Sequence, residues 1–440
     1  MQQYSIIFDA GCQLKARFAL TKSALWVNMP IDIVWFLTVC AGGKGRLRAF
    51  LWRGARGLAE RTVKILYIAS TFGHLAAFHR PYLRWFAARG CEVHAAAAGE
   101  PDTLDGVSRM IALPFEKSMA SPRNLAAAVR LRRLLREEGY QMLSLHTALA
   151  AFFARLAVQG MGAKRPCVMN TVHGYLFDAH TPPAKRALLL GAEKCTARVT
   201  DYLLTMNRQD REIAETHRLG RRIYATDGMG VDFSRFQPAT PAQRAAARRS
   251  LGIPEDALVL VYAAEFSGRK NQAMLIDAMT GLPENVWLLL PGRGALLEAC
   301  SARAKAGRAA ARTVFPGFVP DMERCYHAAD VCVSASRSEG LPFNIMEAMH
   351  CGLPVAATDV KGHEDLLRDT GAGLLFPHDD TAALARAVRA LAEVDRRRAM
   401  GAAAHRSVQR YALERVFPQL TGLYAQALDG WLEQQGGNVS

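Results

Sequence analysis

From Lys64 onward the chain alternates short, nearly unbroken apolar runs with segments of helical periodicity, and it does so twice. KILYIAS, CEVHAAAA, YQMLSLHT, CVMNTVHG and DYLLTMN read as buried strands. Runs apolar on every position suit a parallel sheet covered on both faces. The segment around FHRPYLRWFAARG is predicted as one helix ending at Gly90, and NLAAAVRLRRLLREEG as a second, closed by Gly139. A turn-rich stretch, GMGVDFSRFQPATP at 228–241, interrupts the series. ALVLVYAAE, NVWLLLPG, ARTVFPG, DVCVSAS, PVAATD and GAGLLF then supply six further strands with helices between them. Strands spaced by helices imply parallel sheets with helices on both faces, which is an α/β architecture. The repeated pattern without repeated sequence predicts two Rossmann-like, doubly wound domains facing each other across a cleft. Their bounds are 63–233 and 234–410, and a final helical segment within 411–440 is expected to pack back toward the first domain. A chain of 440 residues is long enough for two such cores.

Residues 1–62 stand apart as an N-terminal extension. ALWVNMPIDIVWFLTVCA, residues 24–41, is an apolar stretch followed by Lys44, Arg46, Arg48, Arg53, Arg56 and Arg61. A basic flank of that kind suits a short membrane anchor with its basic side cytoplasmic. Pro30 and Asp32 in its middle oppose that reading. A poorly ordered extension and a translation start further downstream stay open beside it, and a cleaved signal peptide fits poorly because no small-residue cleavage region follows.

Charge and cysteine content narrow the function classes. The 55 basic against 40 acidic residues give +15, which suits an anionic membrane surface or a phosphorylated substrate. No zinc-finger spacing, aromatic RNP pair or basic heptad array is present, so no nucleic-acid partner is expected. The nine cysteines are odd in number and include no CxxC pair, as in a reduced cytosolic protein using thiols as small buried hydrophobes. Neither GRGALL nor GGKGRL completes a dinucleotide or phosphate fingerprint.

Chemistry concentrates in SEGLPFNIMEAMHCGLPV, where Glu339 and Glu347 stand eight positions apart. DVCVSAS places the SEGLP turn at the carboxyl end of a strand, where ligands of such sheets bind. Pro342 suits the first helical turn that follows. The N–H groups around Phe343 and Asn344 then form an anion site fit for a pyrophosphate. Glu347, one turn further in, can accept two hydroxyl hydrogen bonds, as a ribose diol offers, or can simply be a solvated helix glutamate. Glu265-Phe266-Ser267-Gly268-Arg269-Lys270 puts paired cations in the loop after the first strand of the second domain. Arg269 and Lys270 suit a diphosphate, one as a fork and one as a point charge. The PGRG loop with Gly292 and the FPGFVP segment with Val319 lie at other strand ends and could wall a nucleobase. In the first domain His74, His146 and His173 all stand at strand ends, with Gly73 and Gly174 allowing close approach of a ligand to the backbone.

These residues carry a family resemblance. EGLPFNIMEAMHCGLPVAATDVKGHEDLL, NTVHGY and GMGVDFSRFQP resemble the retaining glycosyltransferases of family 4, with the two-domain GT-B fold, and most closely the bacterial exopolysaccharide and capsule members. The resemblance runs from about Lys64 to about residue 430. It implies that Glu347 holds the ribose of a nucleotide-sugar donor and that Glu339 touches hydroxyls of the transferred sugar. It also implies that Gly340, Leu341, Phe343, Asn344 and Ile345 bind sugar and phosphate through their backbone. Lys270, with Arg269, would hold the diphosphate, and His173 would bond to the sugar 6-hydroxyl. Gly73 would mark a loop near the phosphates, Val319 would contact the base through its backbone, and Gly292 completes the donor side. His74 and His146 fall on the acceptor side. One departure matters: many family members carry an Arg five residues before the lysine, where this chain has Glu265.

The resemblance implies sugar transfer with retention, using a nucleotide-sugar co-substrate and no cofactor or obligatory metal. A hexose or N-acetylhexosamine would pass, from a UDP-sugar, to a growing polyprenyl-diphosphate-linked saccharide at the cytoplasmic face of the inner membrane. The expected process is exopolysaccharide, capsule or O-antigen synthesis, and the expected location is cytoplasmic and peripheral to the membrane. Two alternatives stay open: a nucleotide-sugar epimerase, which needs no acceptor, and a non-catalytic nucleotide-sugar-binding partner subunit, motivated by Glu265.

Overall fold

The computed structural model describes residues 62–100, 103–178, 181–307 and 309–436. The apolar stretch at 24–41 lies outside them, and with it the question of an anchor. Among the described residues no helix is long and apolar enough to cross a membrane.

Among the described residues thirteen strands form two sheets, and every neighbouring pair is parallel. The first sheet contains β1 (Lys64–Thr71), β2 (Glu92–Ala98), β3 (Arg109–Ala112), β4 (Met142–His146), β5 (Cys167–Val172), β6 (Tyr202–Thr205) and β7 (Arg222–Ala225), in the order β3-β2-β1-β4-β5-β6-β7. The second contains β8 (Leu258–Val261), β9 (Val286–Leu289), β10 (Thr313–Val314), β11 (Val331–Ser334), β12 (Val355–Thr358) and β13 (Gly373–Phe376), in the order β10-β9-β8-β11-β12-β13. The two orders are the same doubly wound pattern, so the expected pair of Rossmann-like domains is present. β3 and β7 are edge strands that the sequence reading missed. RMIA and RIYA are short and each carries an Arg, and an edge strand buries one side only, so neither shows an apolar run.

Each domain has its own core. Leu66, Ile68, Leu143, Leu145 and Val168 centre the first, closed by Leu131, Leu135 and Phe153 from helices. Leu258, Leu260, Leu288, Val331 and Val333 centre the second, closed by Leu275, Met279, Leu384 and Val388. The last helix, Leu413–Gly436, packs on the first domain. Its Tyr424 hydroxyl lies 2.9 Å from Ser144 Oγ on β4, and its ring meets Phe86 edge-on at 5.1 Å.

The predicted single helix ending at Gly90 is two, Phe72–Phe78 and Arg80–Ala87, broken at His79. Pro81 causes the break: a proline cannot donate to the turn behind it, but it fits the first turn of a new helix. Seven cysteines lie among the described residues, all unpaired; five are buried and Cys195 is exposed.

Candidate functional site

Each sheet reverses its winding once, between β1 and β4 and between β8 and β11. Loops on the two sides of such a reversal diverge and leave a crevice at the carboxyl ends of the strands, the usual ligand position. The predicted site residues gather at these two reversals.

In the second domain β8 leads to the turn bearing Arg269 and Lys270, and β11 leads to the turn bearing Glu339. Lys270 Nζ donates to Glu339 Oε1 at 2.5 Å, and Arg269 Nη1 donates to Oε2 at 3.1 Å. Ser336 Oγ also donates to Oε1, at 2.5 Å, and is itself 2.6 Å from the Tyr262 hydroxyl. Burial alone would push the Glu339 carboxyl up, but the Lys270 and Arg269 charges outweigh it and hold it at about 2. His363, buried beside it, donates Nδ1–H to the Thr358 carbonyl at 2.7 Å. The two cations expected at a diphosphate and the glutamate expected at the sugar thus form one ion-paired cluster with a net charge of +1. Glu265 is exposed, and only its backbone carbonyl is engaged, accepting from Gln272 Nε2 at 2.9 Å.

Glu347 lies on the helix Phe343–His350, which starts directly after the SEGLP turn with Pro342 as its cap. Tyr326 donates its hydroxyl to Glu347 Oε2 at 2.8 Å and to the Asn344 carbonyl at 3.1 Å. Burial pushes the Glu347 carboxyl up to about 7, against the pull of the Tyr326 hydrogen bond and of Arg235. The two glutamates of one stretch are therefore held in opposite ways. Asn344 Nδ2 donates to the Ala263 carbonyl at 2.8 Å and fastens the helix start to the segment after β8. Leu341 and Ile345 point into the core, which leaves their backbone alone available to a ligand.

The PGRG and FPGFVP loops lie together. Gly292 N donates to the Gly317 carbonyl at 2.8 Å, and the Arg293 guanidinium sits 4.8 Å above the exposed Phe318 ring, with Val319 buried beside it. Gly292 has φ +151°, and a Cβ there would lie 2.0 Å from the Ala264 carbonyl, so no other residue fits.

In the first domain the three predicted histidines converge, joined by His79, which the sequence reading missed. His146 and His79 are wholly buried, with ring centroids 3.8 Å apart. His146 Nδ1 lies 3.3 Å from His173 Nε2, and His146 Nε2 lies 2.9 Å from Ser144 Oγ. The His74 and His173 rings meet edge-on at 4.8 Å. Burial lowers His74 to about 4 and holds the other three well below the usual imidazole range. His146 is thus covered and reaches a ligand only through its neighbours. Gly73 sits in the first turn of the helix Phe72–Phe78, not in a loop, and is exposed.

The two domains touch at this point. A Cβ on Gly340 would lie 1.7 Å from the His173 carbonyl, and one on Gly362 would lie 2.6 Å from the Gly340 carbonyl. Phe78 packs edge-on against Phe343 at 4.7 Å. Lys361 is buried at the junction, with Nζ 2.7 Å from both Asp210 Oδ1 and the Tyr175 carbonyl. Asn207 caps the helix Arg208–His217 through Asp210 N and donates Nδ2 to the Gly340 carbonyl at 3.2 Å. Asp210 and Lys361 escaped the sequence reading because 151 positions separate them. The only signals were a lysine inside the DVKGHEDLL motif and an Asn-x-x-Asp cap. A cavity of about 330 Å³ between Arg244, Asp330 and Arg397 opens at the amino ends of β8 and β9, away from all these groups.

This fold with this clustering is that of a GT-B glycosyltransferase. "Glycosyl transferases group 1" matches residues 243–407, and "Glycosyltransferase Family 4" matches residues 82–226. EpsD of Bacillus subtilis (strain 168), designated a glycosyltransferase, is 33% identical over 373 residues, covering 84% of this chain and 98% of the relative. The chain belongs to this glycosyltransferase family. The UDP-Gal:alpha-D-GlcNAc-diphosphoundecaprenol alpha-1,3-galactosyltransferase of Escherichia coli is 24% identical over 289 residues, covering 63% of this chain and 73% of that protein. Among solved structures, Anabaena HepE in complex with UDP and glucose matches with a TM-score of 0.67 at 18% identity, over 83% of this chain and 100% of that one. At that identity the likeness concerns the fold.

Proposed function

We propose that the protein transfers a hexose or N-acetylhexosamine, with retention of configuration, from a UDP-sugar to a polyprenyl-diphosphate-linked saccharide in exopolysaccharide synthesis. The carrying observation is the Lys270–Arg269–Glu339 cluster, set at the second domain's winding reversal and joined through Gly340 to His173 of the first. The donor diphosphate takes Lys270 and Arg269 from Glu339, while the N–H groups of Phe343 and Asn344 meet the same phosphates. Freed of its cations, Glu339 accepts from hydroxyls of the sugar, and Glu347 accepts from the ribose. Gly73 lies on the phosphate side, and Gly292 and Val319 wall the base.

As the glycosidic bond to the diphosphate breaks, negative charge grows on the leaving oxygen, where the two cations and the helix start stabilise it. The acceptor hydroxyl bonds to the anomeric carbon on the face the diphosphate leaves, and its proton passes to the departing phosphate. No cofactor or metal takes part. His173 orients the sugar through its 6-hydroxyl, and His74 faces the acceptor. The UDP complex of HepE and the diphosphoundecaprenol acceptor in the name of the Escherichia coli relative support the choice of donor and acceptor. The basic surface suits the cytoplasmic face of the inner membrane.

The test is a thermal-shift screen of UDP- and GDP-sugars, followed by turnover with membrane lipid extract. Lys270→Ala should lower turnover more than it lowers binding of the bare nucleoside; equal losses would remove its role in the transition state. Product formed from donor alone would favour an epimerase. Donor binding without turnover on any lipid-linked acceptor would favour a binding subunit.

A further inference from the structure

We propose that His74, His79 and His173 form a three-imidazole site for a first-row transition cation, with Zn²⁺ the natural test ion and His146 as the orienting partner of His173. The inference goes beyond the transferase reading, which uses no metal.

One ligating nitrogen from each of the three rings lies within 4.8 Å of the others. Around zinc, with Zn–N of about 2.0–2.1 Å, tetrahedral ligand nitrogens stand about 3.4 Å apart, so modest ring rotations close the set. The independent observation is His79. It is wholly buried, and among the described residues neither of its ring nitrogens has a hydrogen-bond partner. His74 Nε2 is likewise buried without a partner. A core that buries an imidazole with both nitrogens idle forgoes hydrogen bonds that water would give, and buried polar groups are nearly always satisfied. A cation at the centre of these rings would take one nitrogen of His79 and one of His74, leaving the second His79 nitrogen as its N–H.

The surroundings have the character of a metal site. Ligating histidines usually hold their second nitrogen to a fixed polar partner, which sets tautomer and ring orientation. Tyr424, Ser144, His146 and His173 form such a chain, with successive contacts of 2.9, 2.9 and 3.3 Å. Three neutral imidazoles and no thiolate or carboxylate favour zinc, copper or nickel over magnesium or calcium. Three protein ligands leave a fourth position open. Since His173 is also the residue proposed to meet the sugar, a bound ion and a bound donor would compete for it.

The test uses tag-free, chelator-stripped full-length chain and Zn²⁺ or Co²⁺ alone. We expect one Zn²⁺ per chain by calorimetry and elemental analysis, and a Co²⁺ spectrum without a thiolate charge-transfer band. His79→Ala and His74→Ala should each weaken Zn²⁺ binding by more than about 100-fold, and His146→Ala by about 10–100-fold, the usual cost of losing an orienting partner. Should His79→Ala not fold, His74→Ala, a change at a half-buried position, decides alone. Unchanged Zn²⁺ affinity in His74→Ala, no stoichiometric binding, or a thiolate band from Co²⁺ would overturn the proposal. These readouts do not involve sugar transfer, so they stand or fall apart from the transferase reading.

Discussion

If Glu347 holds the donor ribose, donor affinity must fall as the pH drops below about 7. The free carboxyl sits near that value because burial penalises its charge. Its neighbours are Tyr326, Cys332, Cys351 and Arg235; burial raises the hydroxyl and both thiols, so these three stay neutral through the range. Only an ionised carboxylate offers acceptors to both ribose hydroxyls. At pH 6 binding must first expel the proton, which costs about 1.4 kcal/mol for the one-unit gap, or roughly tenfold in affinity against pH 8. An ordinary solvated glutamate, titrating near 4.3, would give a flat profile over this range. The ligand should be an intact nucleotide-sugar, since the terminal phosphate of free UDP itself titrates near 6. Calorimetry in buffers of different ionisation enthalpy should show close to one proton released on binding at pH 6 and almost none at pH 8.

Glu347→Gln should abolish that slope and weaken binding at pH 8 by about 1.5–3 kcal/mol, the range for hydrogen bonds to a charged group. The same substitution has a stability counterpart. A folded-state value raised above the unfolded one stabilises the fold fully below about 4.5, and that contribution is lost as pH rises through about 7. Above pH 7 the glutamine variant should therefore be the more stable unliganded protein, by at most about 3 kcal/mol and by less where solvent screens the carboxylate. Flat wild-type affinity from pH 6 to 8, or a slope that survives in Glu347→Gln, would refute the reasoning.

Three further outcomes follow from the geometry. Gly340→Ala places a carbon 1.7 Å from the His173 carbonyl, so the domains must separate there; turnover should fall by about 10²-fold with both domains folded, and an unchanged rate would show the contact is dispensable. Lys361→Met strands the buried Asp210 carboxylate and should cost about 3–5 kcal/mol in urea unfolding, much of it restored by adding Asp210→Leu; a loss under 1 kcal/mol would deny the pair its structural role. Glu339→Gln leaves Lys270 and Arg269 without their counter-charge, so calorimetry should find bare UDP bound more tightly while transfer falls; UDP affinity at or below wild type would contradict the exchange of partners.

How far the sequence could be read depended on whether a signal was local. Buried strands such as KILYIAS announce themselves, because both faces are covered and the run from Ile65 to Ala69 is unbroken and buried. The edge strands RMIA and RIYA do not, since half of each faces water. The helix break at His79 was locally encoded in Pro81, yet the apolar periodicity of the flanking turns masked it. Glu339, Glu347, Lys270 and His173 could be found because each lies at a strand end or helix start. Their charge states could not. Whether a carboxyl sits at 2 or at 7 depends on the folded surroundings, the Lys270 and Arg269 charges for one glutamate and burial, against a Tyr326 hydrogen bond, for the other. The same holds for Asp210 and Lys361, whose pairing exists only once the two domains meet.

That contrast bears on how one short stretch can grip a doubly charged ligand. Two free cations at a strand end would bind any polyanion, and the buried lysine without counter-charge would strain the fold. In the proposed reaction Glu339 removes both difficulties by occupying Lys270 and Arg269 until a diphosphate replaces it, so affinity would be a difference between two charge-assisted partnerships. The value of about 2 belongs to the carboxyl paired with its two cations; with them drawn away burial would push it up, so sugar hydroxyls would have to take over the sharing of its charge. Only a ligand bearing both diphosphate and sugar would offer the exchange and those hydroxyls together. Glu347 works in the opposite sense: at neutral pH the empty carboxyl is about half protonated, and the hydroxyls of a bound ribose would draw it to the charged form. On the proposed reading one carboxylate would make the phosphate site conditional on exchange, and the other would couple the ribose site to a proton. Selectivity for an intact nucleotide-sugar over free phosphate would then follow from the two conditions acting together.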